Sequence, residues 1–122
     1  MKNYVTPTRV EFSPTDFFYI RESINELSKY RPVFEMRFKN ERNFLVSDFK
    51  DVIVDSCMLF PDQLPMRCEV ELHRFLSIIR RMKMLNSFCV AENDQTCMKL
   101  SSVISDAIAS FNTVFFRVFD EK

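Results

Sequence analysis

Residues 94–118, DQTCMKLSSVISDAIASFNTVFFRV, decide the reading of the fold. Wound at 3.6 residues per turn, they bring Cys97, Leu100, Ile104, Ala107, Ile108, Phe111, Val114, Phe115 and Val118 to one face. Ser102, Ser105, Asp106, Thr113 and Arg117 fall on the other. The run from Val114 to Phe119 has high strand propensity, which would let the last turns go extended. The long one-sided match favours a helix over 94–118, and such a helix needs neighbours to cover its apolar stripe.

The next signal lies near the N-terminus. Ser13-Pro14-Thr15-Asp16 fits an N-cap, a proline at the first helical position and an acid at the third. Phe12 is placed to staple onto Phe17. Phe17, Ile20, Ile24 and Leu27 form the stripe of this helix, and Pro32 predicts its end near residue 30. Val33 to Lys39 then alternates with period two, which predicts a strand with Phe34, Met36 and Phe38 facing in. A turn at 40–43 follows, and 44–46 would pair back.

Ser47 caps a helix over 47–60 whose inner face is Leu45, Phe49, Val52, Ile53 and Phe60. The β-branched run Val52-Ile53-Val54 leaves a strand open there. Pro61 to Pro65 breaks the chain. A helix over 66–85 carries Cys68, Leu72, Phe75, Leu76, Ile79 and Met82 inward and stops at Asn86-Ser87, before a short strand at 88–91. The expected architecture is mainly α, with four helices (14–30, 47–60, 66–85, 94–118) and one or two short strands (33–39, 88–91). An α+β fold with a small antiparallel sheet is the alternative. An extended arm, 1–12, precedes a single domain, 13–122.

Composition narrows function by exclusion. The 122 residues contain no glycine, where average usage would give about eight. Dinucleotide fingerprints, phosphate loops, calcium loops and nucleophile elbows all require glycine for positive φ or close backbone approach. Fourteen Phe and seven Met make the candidate core aromatic and adaptable. Formal charge is zero, with nine basic and nine acidic groups in residues 1–61 and eight of each in 62–122. Neither half reads as a polyanion-binding tail, and a neutral chain has no net repulsion against self-association.

The four cysteines, Cys57, Cys68, Cys89 and Cys97, have no zinc spacing, and His73 is the single histidine. No metal and no small-molecule cofactor is expected. A Cys89–Cys97 bridge across a turn is conceivable; reduced thiols are the default. With no leader and no apolar run near the length of a membrane span, the expected location is cytoplasmic or nuclear, without a membrane partner.

Candidate chemistry is sparse. His73 could share a proton with Glu69, four residues back, although a solvated surface histidine is the plainer reading. Cys68 lies near a helix start, where a thiol pKa falls; inert packing is the simpler role. No catalytic residues are assigned, and the chain does not read as an enzyme.

Two surface features remain. Arg67, Arg74 and Arg81 recur every seven residues, and Arg80 and Lys83 extend the basic end. This row could follow phosphates, yet it also suits a solvated helix face whose cations lie toward the C-terminus. The other feature is apolar side chains off the core stripes: Phe18, Tyr19, Val54, Met58, Ile78, Leu85 and Phe116. Ile78 and Leu85 among Arg67, Arg74 and Arg81 would make an apolar centre with an arginine rim. The expected function is a non-enzymatic protein-interaction module, a homo-oligomer or small subunit of a larger complex. Its candidate interface is Arg67, Arg74, Ile78, Arg81, Leu85, Phe116 and Phe18. The alternative is a nucleic-acid-binding accessory protein using Arg67, Arg74, Arg80, Arg81 and Lys83.

Overall fold

The computed structural model describes residues 7–61 and 68–119. Four helices, α1 (Pro14–Phe38), α2 (Asn43–Leu59), α3 (Leu72–Glu92) and α4 (Gln95–Phe119), form an up-and-down bundle in which each helix packs on its neighbours in sequence and α4 returns to α1. Pairings across the seams give the directions. Arg117 near the end of α4 reaches Asp16 at the start of α1, and Arg42 before α2 reaches Glu92 at the end of α3. A two-stranded antiparallel sheet, β1 (Pro7–Val10) and β2 (Cys68–Glu71), closes one end, with Arg9 opposite Glu69. Their side chains meet at 2.8 Å, a favourable cross-strand pair. The mainly α class with a small antiparallel sheet is therefore what the chain adopts.

The core is aromatic, as the composition demands. Phe75 is fully buried and meets Phe60, Phe111, Phe115 and Phe119 with ring centroids 5.4 to 5.9 Å apart, mostly edge to face. Phe12 closes over Phe60 at 5.6 Å, tying the arm to the bundle. Ser13 caps α1 through its hydroxyl, which accepts from the Asp16 amide at 3.0 Å, and Pro14 opens the helix.

The sequence reading misplaces both strands. Residues 33–39 do not form a strand: α1 runs on through Pro32 to Phe38. Phe34 and Phe38, four apart, are both fully buried, and Phe34 stacks on Phe49 with centroids 4.4 Å apart. Met36, expected inside, is 81% exposed. A proline inside a helix costs about 3 kcal/mol, while burying two phenylalanines contributes about 3–6 kcal/mol, so packing wins over the break. Arg31 and Glu35 also clasp across the proline at 2.9 Å.

Residues 88–91 are helical too. The stop at Asn86-Ser87 fails because both polar side chains are used without leaving the helix. Asn86 accepts from the Ser101 hydroxyl of α4 at 2.6 Å, and the Ser87 hydroxyl donates to the Met84 carbonyl. The helix ends instead at Asn93, the one described residue with positive φ (57°). Asparagine tolerates this left-handed position and here substitutes for the glycine the chain lacks.

The helix expected over 66–85 starts later, at Leu72, because 68–71 pairs with the arm as β2, with Val70 fully buried. The helix expected over 47–60 starts a turn earlier, at Asn43, so 44–46 does not pair back. The helix expected over 94–118 is displaced by a single residue at each end.

Candidate interaction surface

The arginine row sits on α3, and the structure divides it. Arg74 pairs with Glu71 at 3.3 Å, and Arg81 reaches Asp55 of α2 at 3.2 Å. Both cations thus line the α2–α3 side. Arg80 and Lys83 are exposed elsewhere on the helix and form no ion pair with other described residues. Arg67 lies outside the described residues.

Ile78 and Leu85 are corrected outright: each is 1% exposed and belongs to the core. They do share a helix face with Arg74 and Arg81, but α2 covers that face. The apolar centre with an arginine rim therefore does not exist on the surface of the chain. The hydrophobic stripe of α3 is wider than the spacing of Phe75, Ile79 and Met82 suggests.

The other off-stripe residues are where the spacing puts them. Phe18 is 61% exposed and Phe116 54%; Tyr19, Val54 and Met58 are exposed as well. The sequence reading missed Val90 and Met98. A strand at 88–91 gives Val90 no outward helix face, whereas the spacing of α4 alone places Met98 on its outward side. Val90 and Met98 flank a shallow depression of about 270 Å³ between α3 and α4, together with Ser101 and Ser102.

Helix α4 has three distinct sides. Its inner side, from Cys97 through Leu100, Ile104, Ala107, Phe111 and Val114, is buried. Its α1 flank carries Lys99, Asp106 and Arg117, separated by seven and eleven residues, close to whole numbers of turns. Arg117 bonds Asp16 at 3.1 Å, and Asp106 faces Glu22 and Glu26 across a cleft of about 170 Å³ that also holds Tyr19. Its outer side carries Met98, Ser102, Ser105, Ala109, Thr113 and Phe116, all exposed. No charge interrupts that outer side anywhere along the helix. By length and composition alone α4 could cross a membrane; in the bundle its inner stripe is covered by the other helices.

The end of the bundle near Asn93 is held by charge. Arg37 binds Asp94 at 2.6 Å, Glu92 at 2.9 Å and Glu41 at 3.1 Å, while Arg42 binds Glu92 at 2.7 Å. Asp94 also caps α4 by accepting from the Cys97 amide at 2.7 Å. That amide and the Arg37 guanidinium hold the Asp94 carboxyl below the usual carboxylate range. Behind this network lie Cys89 and Cys97, both free thiols in mutual contact and fully buried. The bridge between them is not formed. Burial pushes the Cys89 thiol up to about 12 and the Cys97 thiol up to about 11. Such thiols stay protonated at neutral pH and pack as small apolar groups.

The proposed Glu69–His73 pair is not assembled on one helix. Glu69 stands in β2 with its carboxylate on Arg9, whereas His73 is exposed on the first turn of α3. Cys57 is exposed, and the Cys68 side chain lies outside the described residues. Among the described residues, no group of three or more metal-ligating side chains converges.

Comparison of the chain with protein-family models, with curated proteins and with solved structures finds no match to any of them.

Proposed function

We propose that this chain is a protein-interaction module, working as a homo-oligomer or as a small subunit of a larger complex. The observation that carries the reading is the outer side of α4. It runs for about five turns, or about 27 Å, without a charge, and is bounded by exposed Met98 and Phe116. A side of this composition loses little on desolvation and buries large apolar groups at both ends, which is how the centre of a contact surface is built. Phe18, at 61% exposure, adds a further apolar group on α1.

The nucleic-acid reading has less behind it. Arg74 and Arg81 are paired with acids of the same chain, which leaves Arg80 and Lys83 as the cations of the row without an ion pair among the described residues. Two cations give a weak, strongly salt-dependent attraction at most.

The test is the native mass of the protein, measured by light scattering after gentle isolation from its source. A mass above that of one chain, reproduced by the cross-linked species, is expected. A protein that runs as a bare monomer both in native extract and when purified overturns the proposal.

A further inference from the structure

Resting on the interaction reading, we infer that the outer side of α4 is the seam of a homodimer, with the α4 helices of two copies packed antiparallel. The spacing of the side carries the argument. Met98 and Phe116 lie at equal distances on either side of Ala107, as do Ser105 and Ala109. A two-fold axis opposite Ala107 therefore seats Met98 on Phe116 and Ser105 on Ala109 of the other copy. Met98 covers Phe116, and the small Ser105 and Ala109 meet at the middle, where the helices approach most closely. That is the self-matching an isologous contact requires.

The charge pattern of α4 fits the same occupant. Lys99, Asp106 and Arg117 all lie on the α1 flank, so the outer side brings no charge of α4 into the seam. Antiparallel packing also places the exposed flank of α3 alongside its own copy. The pairs Asn86–Ser101 and Phe75–Phe111 set Arg80 level with Ala107. Two arginines then meet at the solvated rim, a repulsion that salt screens. Two helices, each about 10 Å across and in contact over about 27 Å, give only about 540 Å² counted over both copies, so the flanks of α3 have to add area before the contact reaches the size of a specific interface. The dimer is thus a weak one that tightens as salt rises, the opposite trend from phosphate binding.

The test uses the whole chain in sedimentation velocity over a concentration series. Ala109 is exposed, so Ala109→Arg should keep the helical content and melting temperature while weakening dimerisation by about a hundredfold or more, through like charge and bulk at the axis. Orientation is read by disulfide capture with Cys57 and Cys68 replaced by serine. The Met98→Cys/Phe116→Cys double variant should cross-link efficiently, and Met98→Cys alone should not. Cross-linking of the single variant overturns the antiparallel arrangement. A dimer indifferent to Ala109→Arg overturns the seam. A purified monomer that is nevertheless part of a larger assembly in native extract overturns the homodimer and leaves the interaction reading standing.

Discussion

Replacing Pro32 with alanine should stabilise the protein. Pro32 is exposed inside α1, so a smaller side chain opens no cavity. The proline removes the amide that would donate to the Ser28 carbonyl, and its ring crowds that carbonyl. The helix-interior difference between proline and alanine is about 3 kcal/mol. Against this, alanine frees the unfolded chain by about 0.4–1 kcal/mol. The net expectation is a gain of about 2 kcal/mol. A chain of this length has an unfolding entropy near 0.26 kcal/mol/K, which converts the gain to a rise of about 8 °C in Tm. Thermal and urea unfolding followed by circular dichroism, with unchanged m-value, measures it. The substitution also separates two folds. If 33–39 were a strand beginning after a helix that stops at residue 30, Pro32 would sit in a turn that suits it. Alanine would then lower stability. A fall in Tm, or no change, refutes the argument that burial of Phe34 and Phe38 pulls the helix through the proline.

Phe75→Ala removes the ring that touches four other rings and should cost about 4 kcal/mol in urea unfolding; a loss under about 1.5 kcal/mol would mean the aromatic cluster is not packed as described. Ser56 is fully buried, and its hydroxyl has no hydrogen-bond partner among the described residues. Ser56→Ala should therefore be neutral or stabilising by about 1 kcal/mol, and a marked loss would reveal a partner. The raised thiol pKa values of Cys89 and Cys97 predict an alkaline limb. Their contribution is complete below the ordinary thiol range near pH 8.5 and is lost as pH climbs toward about 11 and about 12, read as a falling Tm. In the same protein at pH 8, alkylation should reach exposed Cys57 well before either buried thiol; equal rates would contradict their burial.

What the sequence made legible was the set of buried positions more than the element boundaries. Leu45, Phe49, Val52, Ile53 and Phe60 are all buried as their spacing requires, and α4 falls within a residue of its expected ends. The errors share a physical cause. Phe34 and Phe38 are two steps of a strand period and also one helical i, i+4 step, so Met36 alone distinguishes the two readings, and methionine is apolar enough to fit either. Pro32 and the pair Asn86-Ser87 are stops by local preference alone. Tertiary packing and side-chain hydrogen bonds overrode both. The sheet escaped notice because its strands, 7–10 and 68–71, lie far apart in sequence, and four-residue strands carry almost no periodicity. For the surface, the off-stripe positions Phe18 and Phe116 were readable from spacing. Ile78 and Leu85 were not, since whether a second apolar face is exposed depends on which helix leans on it.

The other helices provide an internal control for the outer side of α4. The exposed face of α1 carries Glu22, Glu26 and Lys29, that of α2 carries Lys50 and Asp51, and that of α3 carries His73, Arg80 and Lys83. A chain that is 28% charged would place several charges on a fourth solvated face of similar length. On α4 the three that exist all stand toward α1, where Arg117 is bound to buried Asp16. The neutrality of the outer side is thus not a consequence of overall composition. A helix that meets only water gains solubility from charge at no packing cost, so a face kept free of it while carrying exposed Met98 and Phe116 is better accounted for by contact with another apolar surface than by solvent. Zero formal net charge acts in the same direction, since two copies approaching one another meet no long-range repulsion.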